Sequence, residues 1–173
     1  MDVDGVLNCY ADDYPKTNGI NPGKVRLLKE IQARTNAVIV LSSSWKLGYN
    51  KKTGEKRNFY KILEDCLKEY NLEIYDITDN LPCRSKIIYT EPLMFEQLIN
   101  IPLDYGNGRG EEITRWLMDH DVESFVILDD ENWEYNQYGF MPYFIQSNYY
   151  EKNGGLQREH VERAVKILNR KKN

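Results

Sequence analysis

The chain has 173 residues, of which 41% are apolar and 29% charged, and its formal net charge is −4 at pH 7. This length is enough for one domain with a continuous core, so residues 1–173 are interpreted as a single domain. The charge gives no general attraction for nucleic acid, and no run approaches the ~20 apolar residues that a membrane helix needs. We therefore expect a soluble protein without a membrane partner.

Few side chains are available for sulfur or imidazole chemistry. Cys9, Cys66 and Cys83 are odd in number and form no CxxC pair, which argues against a disulfide framework and a zinc site. His120 and His160 are the only histidines, so a histidine-rich metal cluster is excluded. No basic segment of a signal peptide opens the chain. These features predict free thiols in a reducing cytoplasm.

Apolar periodicity predicts helices and strands in alternation. Asn21-Pro22-Gly23 is typical of a helix start, with proline in the first turn. The predicted helices cover residues 22–34, 59–70, 110–119 and 156–168. The predicted strands cover residues 37–41, 73–78, 125–128 and 143–146. Residues 83–107 are longer than a simple connection, which predicts a small insertion that shields a site.

This alternation predicts an α/β fold in three layers, with helices on both faces of a parallel sheet. Ligands of such sheets bind outside the carboxyl ends of the strands. Four polar clusters are expected at that edge: Asp2-Val3-Asp4-Gly5, Ser42-Ser43-Ser44-Trp45-Lys46, Gly108-Arg109-Gly110 and Asp129-Asp130. Carboxylates gathered there repel one another unless a cation neutralises them. A set of oxygen ligands without histidine suits Mg²⁺.

The four clusters resemble the four motifs of the haloacid dehalogenase-like (HAD) phosphatases. Residues 2–7 are similar to the first motif, DxDGxL, and Ser42 after an apolar strand resembles the second. Arg109 stands in the place of the basic third motif, and Asp129-Asp130 resembles the fourth. More narrowly, residues 4–8, 41–45, 109–117 and 127–130 are similar to a small-capped branch that includes the HAD domain of Swiss Army Knife RNA repair proteins. The resemblance implies a Rossmann-like HAD fold with a minimal cap.

The resemblance also implies catalytic roles. Asp2 would attack phosphorus and form an aspartyl-phosphate. Asp4 would protonate the leaving oxygen and later accept a proton from the hydrolytic water. Ser42 would hydrogen-bond a phosphoryl oxygen, and Arg109 would complement the charge on the transferred group. The implied activity is that of a Mg²⁺-dependent phosphomonoesterase.

Binding roles follow from the same resemblance. Mg²⁺ would be held by Asp2, the main-chain carbonyl of Asp4, and Asp129 or Asp130. Substrate contacts are assigned to Gly5, Ser43 and Lys46, with Gly5 allowing the backbone to pass close to a phosphate. The substrate is expected to be a phosphorylated small molecule or a nucleic-acid end. The sequence does not indicate an oligomeric state.

Other interpretations of these residues stay open. The alternative function is a catalytically inactive HAD-like module that binds phosphorylated ligands or a protein partner. Trp45 and the tyrosines of residues 135–150 are interpreted as packing, with base stacking as the alternative. A receiver domain is disfavoured, because its acidic pair precedes its phosphorylated aspartate, whereas the order here is the reverse.

The start of the chain departs from the family pattern. Family members run an apolar strand into the first aspartate, whereas here only Met1 precedes Asp2. Either the natural chain extends upstream of Met1, or Asp2 lies on a loose terminus. We favour the first, and therefore expect the N-terminal central strand to be truncated.

Overall fold

A computed structural model describes residues 1–12, 19–81, 86–88, 99–101, 108–132 and 135–170. Its helices are α1 (Pro22–Thr35), α2 (Asn58–Lys68), α3 (Arg109–Met118) and α4 (Arg158–Leu168). Its strands are β1 (Ile39–Leu41), β2 (Ile74–Ile77), β3 (Lys86–Ile88), β4 (Ile99–Ile101), β5 (Ile127–Asp129) and β6 (Phe144–Gln146). Short 3₁₀ helices cover Ser44–Gly48 and Met141–Tyr143. Within these ranges, no helix has both the length and the apolar character to cross a bilayer.

Helix α1 shows how local sequence sets an element. The side chain of Asn21 accepts a hydrogen bond from the backbone N–H of Gly23, and Pro22 occupies the first turn, where its missing N–H costs nothing. The helix ends at Asn36, which takes the left-handed conformation with φ 56°. Its buried residues Val25, Leu28 and Ile31 lie on one face. The predicted helix is confirmed.

Two parallel strand pairs carry the polar edge. Strand β1 pairs with β2, and Leu41 lies opposite Ile77. Strand β5 pairs with β6, and Asp129 lies opposite Gln146. The parallel arrangement predicted from the sequence is confirmed, and it brings the carboxyl ends of the paired strands to a common edge.

Residues 1 and 2 connect the two pairs. The amino group of Met1 donates to the carbonyl of Val40 at 2.8 Å, and its carbonyl accepts from the N–H of Ser42 at 2.9 Å. On the other side, the N–H of Asp2 donates to the carbonyl of Leu128 at 2.8 Å. Asp2 is also only 7% exposed. The structure therefore fixes Asp2 between β1 and β5, so the alternative of a loose terminus, which the sequence interpretation disfavoured, is wrong.

Helices cover both faces of the sheet. Successive residues of a strand point to opposite faces. On β5, Ile127 packs into a cluster with Ile113 of α3, whereas Leu128 packs into a cluster with residues of α1, α2 and α4. On β6, Phe144 and Ile145 divide between the same two clusters. The three-layer α/β architecture predicted from the sequence is confirmed.

The predicted insertion at residues 83–107 lies largely outside the described residues. Within it, β3 and β4 pair antiparallel, with Lys86 opposite Ile101 and Ile88 opposite Ile99. A minimal cap built on this segment stays a prediction.

A cleft of about 550 Å³ is lined by Met1 and by residues of and around β1 and β5. Its walls include Val38 and Val40 on one side and Val126 on the other, with Ile31 and Trp116 from the helices. We expect a short, apolar, β-branched extension ahead of Met1 to raise Tm by about 5 °C or more. Each buried side chain of this kind contributes about 1.5–3 kcal/mol before ordering costs. Thermal unfolding followed by circular dichroism measures the effect.

The matched control is an extension of the same length made of glycine and serine. It moves the amino group in the same way but brings no apolar surface into the cleft. An equal rise of Tm for both extensions would contradict the cavity-filling account.

Candidate active site

Three carboxylates meet at the carboxyl ends of the strands. Asp129 ends β5, Asp130 follows it, and Asp2 lies between β5 and β1. Each offers one oxygen, and these oxygens lie within 4.8 Å of one another. Burial, with the charges of Asp129 and Asp2, raises the pKa of Asp130 to about 7. The pKa of Asp129 is also raised, because burial and the charge of Asp2 outweigh its favourable contacts.

Arg109, at the start of α3, partly balances this charge. Its Nη1 lies 3.2 Å from Oδ1 of Asp2 and 3.0 Å from Oδ2 of Asp129. Burial opposes the charge of the guanidinium, but the two carboxylates outweigh burial and raise its pKa. A cation at a helix N-terminus gains nothing from the helix dipole. The position of Arg109 is therefore explained by the carboxylates it contacts.

Tyr135 is a member of the site that the sequence interpretation missed. Its hydroxyl donates to Oδ2 of Asp129 at 2.8 Å, and its side chain is fully buried. Burial and the charge of Asp129 raise the pKa of this phenol, so it stays protonated and acts as a donor. In the sequence it is one ring among several aromatic residues, and nothing local distinguishes it.

Gly5 lets the first loop approach Asp130 closely. Its φ is +73°, and a Cβ at this position would lie 2.3 Å from Cγ of Asp130, so any side chain would displace that carboxylate. Its N–H donates to Oδ1 of Asn8 at 2.9 Å, and its carbonyl accepts from the hydroxyl of Ser147. Contact of Gly5 with substrate stays a prediction, and its observed role is to seat Asp130 against the loop.

Asp4 is not a member of the three-carboxylate group. Its Oδ2 accepts from the indole Nε1 of Trp45 at 2.9 Å, and its Oδ1 accepts from Nδ2 of Asn8 at 2.8 Å. The two predicted catalytic carboxylates of the first motif thus have different surroundings. Asp2 contacts a cation, whereas Asp4 is held by two uncharged donors.

The serines after β1 are buried. Ser42 is 2% exposed, and its hydroxyl accepts from Oγ1 of Thr78 at 3.4 Å. Ser43 is 1% exposed, and its hydroxyl accepts from the N–H of Trp45 at 3.4 Å, which caps the first 3₁₀ helix. Ser42 stands next to Met1, since its N–H bonds the Met1 carbonyl. Substrate contact by either serine stays a prediction.

Lys46 points into the protein. Its Nζ donates to Oε2 of Glu112, to Oγ1 of Thr78 at 3.1 Å and to the carbonyl of Asp79 at 3.0 Å. Burial lowers its pKa, and the hydrogen bond to Glu112 opposes that shift. An ammonium group has three protons, and all three have partners here. Substrate binding by Lys46 stays a prediction, and its observed contacts join the end of β2 to α3.

Breaking this buried pair should cost more than removing it. Side chains of Lys46 and Glu112 are 7% and 9% exposed. We expect Lys46→Met or Glu112→Leu alone to lower the free energy of unfolding by about 3–5 kcal/mol, because each leaves a buried charge without its partner. Lys46→Met with Glu112→Leu should cost far less than the sum. Urea unfolding of the four proteins measures the coupling, and additive costs would contradict it.

The donor set fits a hard divalent cation. Asp2, Asp129 and Asp130 supply only oxygen. Burial raises the pKa of Asp129, although Arg109 opposes the shift, and burial also raises the pKa of Asp130, so a further positive charge would stabilise both carboxylates. Mg²⁺ prefers carboxylate oxygens together with water. Two further observations agree: the carboxylate oxygens already lie close together, and Gly5 leaves room for Asp130 beside them.

A parallel α/β fold with these residues in this order is the pattern of the HAD-like hydrolase superfamily. In chain order, the residues are an aspartate near the amino end, a serine after β1, an arginine at the start of α3 and an acidic pair at the end of β5. The family model for the HAD domain in Swiss Army Knife RNA repair proteins matches residues 1–161, and the chain belongs to this family. Comparison with curated proteins gave no match, and comparison with solved structures gave none either.

Proposed function

We propose that the protein is a Mg²⁺-dependent phosphomonoesterase that works through an aspartyl-phosphate on Asp2. One observation carries this proposal: Asp2 converges with Asp129 and Asp130 beside Arg109, while Asp4 is held separately by uncharged donors. Two-step phosphoryl transfer needs a nucleophile beside positive charge. It also needs a second carboxyl group that does not contact that charge.

In the first step, a carboxylate oxygen of Asp2 attacks phosphorus and the ester P–O bond breaks. Asp4 gives its proton to the leaving oxygen, so the alcohol departs neutral. Arg109 complements the negative charge gathering on the phosphoryl oxygens, and Ser42 donates to one of them. The guanidinium of Arg109 already lies 3.2 Å from Asp2, where that charge develops.

In the second step, water attacks phosphorus of the aspartyl-phosphate. The carboxylate of Asp4 accepts the proton of that water, the bond from Asp2 to phosphorus breaks, and inorganic phosphate leaves. Asp4 ends protonated and Asp2 ionised, as at the start. Asp2, Asp129 or Asp130 and the main-chain carbonyl of Asp4 would hold Mg²⁺. When bound, the ion supplies positive charge that reduces repulsion between the nucleophile and an anionic phosphate.

For the substrate, we propose a phosphorylated nucleic-acid end. The chain belongs to a family described as the HAD domain in Swiss Army Knife RNA repair proteins. Lys51, Lys52 and Arg57 line a cavity of about 430 Å³ together with Glu55, Asp79 and Thr78, whose hydroxyl contacts Ser42. Lys51 also pairs with Asp76 at 2.9 Å. Basic side chains beside the site suit a polyanionic substrate. The free thiols of Cys9 and Cys66 support a reducing compartment, which we propose to be the cytoplasm.

Hydrolysis of p-nitrophenyl phosphate with and without Mg²⁺ tests the reaction. We expect turnover that requires the ion and is lost with a chelator. Absence of metal-dependent turnover from a well-folded protein would overturn the proposal and favour the inactive module that binds phosphorylated ligands or a partner.

A substrate panel tests the nucleic-acid end separately. We expect a higher kcat/KM for 3′-phosphorylated oligonucleotides than for mononucleotides and sugar phosphates. A preference for the small molecules would reject the nucleic-acid end while leaving the phosphatase reaction intact.

A further inference from the structure

Trp45 makes a contact that neither packing nor base stacking explains. Its indole Nε1 donates to Oδ2 of Asp4 at 2.9 Å across 41 residues of sequence. The residue is half-buried, so water could have accepted this hydrogen bond. The N–H reaches a carboxylate of the first motif instead.

Asp4 receives a second donor on its other oxygen. Nδ2 of Asn8 lies 2.8 Å from Oδ1 of Asp4, and the same amide is fixed by the carbonyl of Gly19 at 2.8 Å. The side-chain oxygen of Asn8 accepts from the N–H of Gly5. Rotation of the carboxyl group about its last side-chain bond would break both hydrogen bonds. Each oxygen of the Asp4 carboxylate has two lone pairs, and one of them stays available for a further hydrogen bond.

Trp45 is itself held rigidly. It lies in the first 3₁₀ helix, which Ser43 caps, and its ring meets Phe59 edge-on at a centroid distance of 6.0 Å and an angle of 86°. The donor is thus set before any substrate arrives. We infer that Trp45, together with Asn8, is a positioning residue that orients Asp4 toward the leaving oxygen. The inference rests on the proposed function, in which Asp4 is the general acid.

A positioning role predicts an effect that depends on the leaving group. Phenolate, with a pKa near that of tyrosine at about 10, needs protonation as it departs, whereas p-nitrophenolate is a much weaker base. The parameter kcat/KM depends on the steps up to departure of the leaving group. The later hydrolysis of the intermediate therefore does not affect it. We expect Trp45→Phe, which keeps the ring and removes the N–H, to lower kcat/KM for phenyl phosphate by about 10- to 100-fold. The loss for p-nitrophenyl phosphate should be less than about threefold.

The chain supplies a matched control. The indole Nε1 of Trp116 donates to Oδ2 of Asp76 at 2.6 Å, and Asp76 is not one of the three carboxylates of the site. Trp116→Phe removes the same kind of hydrogen bond, so we expect a similar change in Tm but no change in the ratio of the two kcat/KM values. Asn8 is a poorer probe, because its replacement would also release Gly5 and Gly19.

The outcomes separate the two proposals. Suppose that the wild type hydrolyses both esters. If Trp45→Phe then lowers kcat/KM equally for both esters, or changes it for neither, the positioning role is wrong and the phosphatase proposal stands. If the wild type hydrolyses neither ester, both proposals fall. Asp4→Asn provides the reference, since it should show the same dependence on the leaving group with a larger loss.

Discussion

Asp2→Asn is expected to lower kcat for p-nitrophenyl phosphate by about 10³-fold or more, because an amide cannot form the proposed aspartyl-phosphate. The substitution keeps the size of a side chain that is only 7% exposed, so the fold should persist. It also removes one negative charge from a group whose oxygens lie within 4.8 Å of one another. Steady-state turnover with Mg²⁺ measures the loss of kcat, and an unfolding curve checks that the fold persists.

The control for Asp2 is a carboxylate that has no part in the site. Asp65 lies on α2 with its side chain 75% exposed, and Asp65→Asn should leave turnover unchanged. Acid quench of the wild type during turnover should trap one phosphoryl group on Asp2, visible by mass spectrometry of the peptide. Turnover by Asp2→Asn above about 1% of the wild type would contradict its role as nucleophile.

Arg109→Gln is expected to reduce both stability and activity. It removes the cation that lies 3.2 Å from Asp2 and 3.0 Å from Asp129, and leaves these carboxylates buried without it. We expect the free energy of unfolding to fall by about 3–5 kcal/mol and kcat by about 10²–10³-fold. If Mg²⁺ binds these carboxylates as proposed, it should raise Tm more in this variant than in the wild type, because it would supply the positive charge that Arg109 no longer provides.

Arg115→Gln is the matched control for this prediction. Arg115 lies six residues further along α3 than Arg109. Its Nη2 pairs with Glu111 at 2.6 Å, and its side chain is 47% exposed. An exposed pair of this kind contributes less than about 1 kcal/mol. Differential scanning fluorimetry at increasing Mg²⁺ compares the two variants. Equal costs for Arg109→Gln and Arg115→Gln would reject the view that the carboxylates depend on Arg109.

The four helices and the strands β1, β2, β5 and β6 were predicted from local sequence, whereas β3 and β4 were not. The predicted start of α1 at Pro22 is exact, and the predicted bounds of the other helices and strands lie within two residues of those observed. Caps and periodic apolar positions involve neighbours in sequence, so they can be recognised without the fold. The same patterns predicted that the motifs of Ser42 and Asp129 follow apolar strands and share one edge.

The side-chain contacts of the site were harder to predict from the sequence. Tyr135, Trp45 and Glu112 hold Asp129, Asp4 and Lys46 respectively, and two of these pairs join residues 41 and 66 positions apart. A tyrosine in an aromatic stretch or a glutamate in the first turn of a helix carries no local sign of its partner. Lys46 stands beside the serine cluster in sequence, but its side chain turns to Glu112 and Thr78.

The sequence by itself determined the α/β class, the order of the four motifs and the likeness to HAD phosphatases, since these depend on local patterns and on residue identity. Only the tertiary structure decided that Met1 and Asp2 are clamped between β1 and β5, and that Asp4 is held by Trp45 and Asn8. The physical reason is that a hydrogen bond requires two groups to meet within about 3 Å. For residues far apart in sequence, only the packing of the whole chain sets that distance.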